Sequence, residues 1–183
     1  MISISIYRAT TAVALILALV LSATSVFADA KHGHGQAMAI GEPGTTAEAS
    51  RTVEIKMYDN YYKPKSISVK EGETVRFIVH NAGKFVHEFN IATAKMHAAH
   101  QSEMMMMTEH GVLEPDRISW DAAKAMQAAM GHGMHDDPNS VLLEPGKTAE
   151  IVWKFPKHAD LEFACNVPGH YDAGMMGKIK LSH

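Results

Sequence analysis

The chain is 183 residues long and nearly balanced in charge, with 17 Lys and Arg against 20 Asp and Glu and a formal net charge of −3. That balance leaves no electrostatic footprint for nucleic acid or an anionic membrane surface. A single cysteine excludes an internal disulfide, while 13 methionines and 12 histidines supply thioether and imidazole donors that favour copper over hard cations such as magnesium or calcium.

The first 30 residues have the form of an export leader, with Arg8 as the basic region, an apolar run over 12–21 and small residues at Ala28 and Ala30 for cleavage. The run is shorter than the roughly 18 to 20 residues a membrane-spanning helix needs. The expectation is a periplasmic, exported protein whose signal peptide, 1–30, is removed and which has no membrane association afterwards. Residues 31–50 contain almost no large apolar side chains and are expected to form a flexible arm carrying His32 and His34. A single domain is expected over 51–183.

Strand periodicity starts at Val53, Ile55 and Met57, which alternate with polar neighbours. Further strands are predicted over 66–70, over 74–81 with Val75, Phe77 and Val79 on one face, and over 85–91; Glu71-Gly72-Glu73 marks the turn between the first two. Residues 92–139 break the rhythm. They are rich in Ala, Met and His, contain a predicted helix over 121–130 and end at Asp136-Asp137-Pro138, so they read as a partly helical Met/His-rich insertion. Strand signals resume over 141–143, over 148–155 where Ala149, Ile151, Trp153 and Phe155 alternate, over 161–165 and over 177–181. About seven or eight short alternating strands predict an all-β, Greek-key β-sandwich.

The segment that carries chemistry is Cys165-Asn166-Val167-Pro168-Gly169-His170-Tyr171-Asp172-Ala173-Gly174-Met175. It puts a thiol, an imidazole and a thioether on one short loop between predicted strands, three of the four donors of a trigonal copper site with two His, one Cys and a weak axial Met. The second imidazole should come from another strand, and His87, in Asn81-Ala82-Gly83-Lys84-Phe85-Val86-His87-Glu88-Phe89, fits. Taken singly, each has a plainer structural reading: a buried small hydrophobe for Cys165, a strand or loop histidine, a core-filling methionine. Only the combination argues for copper.

At these two motifs, together with Pro64-Lys65-Ser66-Ile67-Ser68-Val69-Lys70-Glu71-Gly72-Glu73, the chain resembles the cupredoxins, the small blue-copper proteins such as plastocyanin, azurin and auracyanin. The resemblance covers roughly 51–181 without the insertion. It implies one type 1 copper with His87, Cys165 and His170 as equatorial ligands and Met175 as the axial one; Met176, which follows directly, is the alternative. The chain departs from azurin in carrying Glu88 after His87, where azurin has an asparagine.

A second group of soft donors lies outside that loop. Met104, Met105, Met106 and Met107 form a run close to His110, and His132, Met134 and His135 follow later; with His32 and His34 these are candidates for additional, weakly bound copper. Four successive helical residues point all around the axis, so 104–107 cannot all face one core. In its His-containing mature N-terminus and its Met/His-rich insertion the chain is similar to the CopI-type periplasmic copper-tolerance cupredoxins. The resemblance implies copper handling with a redox-active site, with copper ions and a periplasmic redox or copper-handling protein as partners, and a small electron carrier as the alternative. An oxidase or reductase is disfavoured: a trinuclear cluster needs repeated His-x-His pairs, of which only His32 and His34 exist, and a binuclear thiolate site needs a second cysteine.

Overall fold

A computed structural model describes residues 39–131, 134 and 137–183. The expected signal peptide, residues 31–38 of the expected arm, and His32, His34, His132 and His135 lie outside the described residues. In chain order the elements are β1 (Glu42–Pro43), β2 (Arg51–Tyr58), β3 (Tyr61–Lys63), β4 (Ser66–Lys70), β5 (Thr74–Asn81), β6 (His87–Ala92), α1 (Ala94–Glu109), α2 (Trp120–Met130), β7 (Ser140–Leu143), β8 (Thr148–Lys154), β9 (Leu161–Ala164) and β10 (Met176–Ser182). One sheet has the order β1-β8-β5-β2-β3 and the other β4-β10-β9-β6-β7. The β2–β5 and β4–β10 pairs are parallel and the rest antiparallel, so each sheet of the sandwich is mixed.

The alternation in the sequence sets which faces meet. In the first sheet, Ile55 pairs with Val79 and Phe77 with Ile151, and all four point inward, as do Val75 and its partner Trp153. The second sheet contributes Phe89, Ile91, Leu161, Phe163 and Ile179 to the same core. A one-residue slip in any of these strands would exchange the core face for the outer one.

The arm does not extend to residue 50 as expected. Ile40 is buried in the core, its carbonyl accepts the indole N–H of Trp153 at 2.9 Å, and Glu42 and Pro43 pair with Lys154 and Trp153. Gly41 makes this possible, because it adopts φ 116° and a Cβ there would collide with the Lys154 carbonyl. A sparse apolar composition conceals the attachment, which rests on one isoleucine and a tryptophan N–H that needs an acceptor when buried.

The insertion contains a second helix, of which the sequence suggested only the 104–107 run. α1 is capped by Thr93, whose side chain accepts from Met96 N. Its methionines ring the helix instead of lining one stripe, which erases the 3.6-residue period that would reveal it. Met104 and Met107 join Val86, Val112, Leu113, Ile118, Ala123 and Met126 in a separate small core. Through Val86, and through Val86 N donating to Pro115 O at 2.7 Å, the insertion braces the residue just before β6. It also covers the outer face of β6, all of whose residues are buried.

At the edge of the sandwich, Glu73 Oε1 accepts from Arg51 Nε and Ser50 Oγ at 2.8 Å each, and its Oε2 accepts from Lys70 N at 2.8 Å. Burial alone would raise this carboxyl, but Arg51, the Lys70 N–H and Ser50 outweigh it and bring the pKa from 4.5 to about 2. A depressed folded-state pKa stabilises above the unfolded value and loses that contribution as pH falls through the folded one. Glu73→Gln should therefore cost about 1–2 kcal/mol near pH 7, after screening at the exposed Arg51 end. Urea unfolding of both proteins should show the gap closing as pH drops from 4.5 toward 2; a gap independent of pH would refute the assignment.

Candidate metal centre

His87 opens β6, Cys165 follows β9, and His170 and Met175 lie on the loop that leads into β10. Leu161, Phe163 and Cys165 continue one inward alternation, as do His87, Phe89 and Ile91, so both ligand candidates arrive at the same end of the core. His87 Nδ1 lies 3.2 Å from His170 Nδ1, and Cys165 Sγ lies 3.4 Å from His170 Nδ1. The ligand atoms of His87, Cys165 and His170 all lie within 4.8 Å of one another.

The loop 165–175 is closed on itself. Cys165 N donates to Met175 O at 3.1 Å, Met175 N to His170 O at 3.0 Å and His170 N to Val167 O at 2.9 Å. Met175 is buried in the sandwich core. Met176 is half-buried on β10 opposite Ala164, on the strand face that carries the exposed Lys178 and Lys180.

Asp59, in the β2–β3 turn, was not a sequence candidate. Its Oδ1 lies 3.1 Å from His87 Nε2 and accepts from Lys84 N at 2.8 Å. A carboxylate on Nε2 holds the proton there and leaves the Nδ1 lone pair facing His170 and Cys165. Gly83 permits the contact, because a Cβ at that position would collide with Asp59 Oδ1 and His87 Nε2. Asn81 shapes the same loop: its Nδ2 donates to Phe85 O and Leu143 O at 2.8 and 2.7 Å, and its Oδ1 accepts from Gly83 N at 2.9 Å. Asp59 is 28 residues from His87, and no local motif links them; an aspartate in a turn reads as turn chemistry alone.

Glu88 has two roles on opposite faces of β6. Its N–H donates to Cys165 Sγ at 3.3 Å, while its carboxylate, 2% exposed, lies beneath α1. There Oε2 accepts from Asn166 N and Nδ2 at 3.0 and 2.7 Å, and Oε1 accepts from Ser140 Oγ at 2.7 Å and lies 3.2 Å from His100 Nε2. Position 88 thus supports the loop from behind through its carboxylate and binds the sulfur through its backbone N–H.

Electrostatics prepare the donors for a cation. Burial lowers the pKa of His87, with Asp59 opposing, and burial with the nearby His87 lowers that of His170, so both imidazoles are neutral at pH 7. Burial pushes the Cys165 thiol up to about 12, against the Glu88 and Val167 N–H groups. A thiolate forms here only when a cation replaces the proton. One thiol and two neutral imidazoles suit a soft or borderline ion such as copper, and not a hard one.

The cupredoxin-like domain family matches residues 11–114, over half of the chain. The chain belongs to the cupredoxin-like family. It is similar to the copper-resistant cuproprotein CopI of Pseudomonas aeruginosa, 50% identical over 83% of this chain and 86% of the relative. It is also similar to the protein of the same name from Rubrivivax gelatinosus, 40% identical over 91% of this chain and 93% of the relative. Among solved structures it is similar to reduced auracyanin from Roseiflexus castenholzii, with a TM-score of 0.51, 22% identity and coverage of 74% of this chain and 99% of that one. That last likeness bears on the fold alone: this is a cupredoxin sandwich with a helical insertion.

The other sequence candidates among the described residues, Met104, Met105, Met106, Met107, His110 and Met134, lie in the insertion. Met104 and Met107 face the insertion core, Met106 is half-buried and Met105 is 47% exposed, which divides the run as helix geometry requires. His110 is exposed with its Nδ1 2.9 Å from Met106 O. Met134 is half-buried and, with Met104, Met107, His100 and Glu88, lines a cavity of about 240 Å³.

Proposed function

We propose that this chain is an exported, non-enzymatic protein that binds one type 1 copper and acts in copper tolerance, with His87, Cys165 and His170 as equatorial donors and Met175 as the axial one. The observation that carries this reading is the convergence of the three donor atoms within 4.8 Å, Cys165 and His87 being fully buried. Relatives named copper-resistant cuproproteins, matched over most of their length, support the biological role. The outward placement of Met176 favours Met175 as the axial donor. Removal of residues 1–30 on export to the periplasm belongs to the same reading.

Bound copper supplies one-electron chemistry. The protein's contribution is to hold the donors in place: Asp59 fixes the tautomer of His87, the closed loop fixes His170 relative to Cys165, and the Glu88 N–H points at the sulfur. The open flank of the His170 ring favours a second reading, a dedicated electron carrier. Phe85, 43% exposed, lies 6.5 Å from the His170 ring between centroids and offers an apolar contact for a redox partner. An oxidase or reductase ranks behind both for want of further His-x-His pairs in the sequence.

Deletion of the gene should sensitise the cell to copper, and re-expression of the wild-type chain should restore growth where Cys165→Ser does not. A deletion that slows respiration and leaves copper sensitivity unchanged would overturn tolerance in favour of electron transport.

A further inference from the structure

A second convergent donor group lies at the opposite end of the same strands. Glu71 is in the β4–β5 turn, His158 in the β8–β9 connection and His183 directly after β10. β9 ends beside Cys165 and β10 begins beside Met175. At about 3.3 Å per residue, the strand lengths put this group roughly 20 Å from the buried centre.

Glu71 Oε1 lies 3.0 Å from His158 Nδ1, and Oε2 lies 3.1 Å from His183 Nδ1. The two imidazole rings are 5.5 Å apart between centroids, and one ligand atom from each of the three residues lies within 4.8 Å of the others. The carboxylate is 14% exposed and its backbone is anchored, since Glu71 N donates to Ser182 O at 2.9 Å and Gly72 N to Phe155 O at 3.2 Å. Both imidazoles are open to solvent.

His158 has φ 53°, left-handed backbone that disfavours residues with a Cβ. In that conformation its N–H donates to Glu71 Oε1 at 3.1 Å while its Nδ1 approaches the same oxygen. An exposed ion pair by itself returns little stability to offset such strain. A shared ion would give the arrangement a use.

We propose that Glu71, His158 and His183 form a second metal site, which takes a borderline divalent ion and prefers Cu(II). Donors about 2.0–2.2 Å from a common ion are at most about 4.4 Å apart, so small rotations of the exposed rings suffice. Two imidazoles and a carboxylate follow the affinity order that peaks at Cu(II), and they leave positions for water. With no thiolate, copper here would be weakly coloured, unlike copper at Cys165. The site stands whatever the buried centre holds.

The test compares Cu(II) uptake by the full exported chain with that of His158→Asn, His183→Ala and Glu71→Gln, using equilibrium dialysis and electron paramagnetic resonance. Asparagine tolerates the left-handed backbone, and Glu71→Gln keeps the side chain's shape, so these variants should fold. The wild type should take up one equivalent more than each variant, or bind it at least tenfold more tightly, with a signal showing nitrogen coupling from imidazole and no intense visible band. Equal uptake by folded variants, or a loss of thermal stability with uptake unchanged, would overturn the site and leave an ion pair.

Discussion

Cys165→Ser should abolish the intense visible charge-transfer band that appears when Cu(II) is added to the wild-type protein, and should weaken copper binding by several orders of magnitude. Cys165 is the only cysteine of the chain, fully buried, with a thiol pushed up to about 12 by burial. A hydroxyl at that position is far harder to ionise than a thiol and cannot supply the soft anionic donor on which the colour depends. Because His87 and His170 are neutral and the thiol is protonated before binding, filling the buried centre of the wild type near pH 7 should release about one proton that the serine variant does not release. Absorption spectra and calorimetry in buffers of different ionisation enthalpy measure both. A serine variant that keeps the band, or a wild type that releases no proton, would remove Cys165 from the centre.

Glu88→Ala should destabilise the metal-free protein by about 3–5 kcal/mol, the range for truncating one member of a buried charged pair. The Glu88 carboxylate is almost completely buried and accepts both N–H groups of Asn166 and the Ser140 hydroxyl. Burial pushes its pKa up, but the hydrogen bond and charge of His100, with Ser140 and Asn166, more than offset this and keep it ionised. Burial opposes protonation of His100 in turn, and Glu88 and Glu103 overcome it, raising the imidazole to about 9. Alanine would leave the Asn166 N–H without its acceptor and His100 with less compensation, directly behind Cys165. Glu88→Gln, which keeps an acceptor of the same shape, should cost less than alanine. Denaturant unfolding of the metal-free proteins reads the difference; a loss below about 1 kcal/mol for alanine would mean that water replaces the network freely.

How much of this was legible in the sequence depended on how far apart the cooperating residues lie. Cys165, His170 and Met175 share one short loop, and His87 follows a strong strand, so their donor types and spacing could be read directly. The two-residue alternation of Val75, Phe77 and Val79, and of Ile151, Trp153 and Phe155, likewise identified the inward faces now seen in the core. The attachment at Ile40 and the extent of the helix Ala94–Glu109 escaped because each lacks the periodic signal that sequence reading uses: one rests on a single apolar residue and the other is ringed by methionines.

Sequence alone therefore determined the sandwich class and the chemistry of the donor set, because alternation and donor spacing are properties of neighbouring residues. Only the tertiary structure decided what surrounds them. Asn90 pairs with Ala164 and Ala92 with Glu162, so two residues further along the same register brings Glu88 opposite Asn166, 78 positions away. Asp59 reaches His87 from another sheet's turn, and Glu71 meets His158 and His183 across 87 and 112 positions. Strand register and the closing of distant loops select these partners, and no local pattern records either.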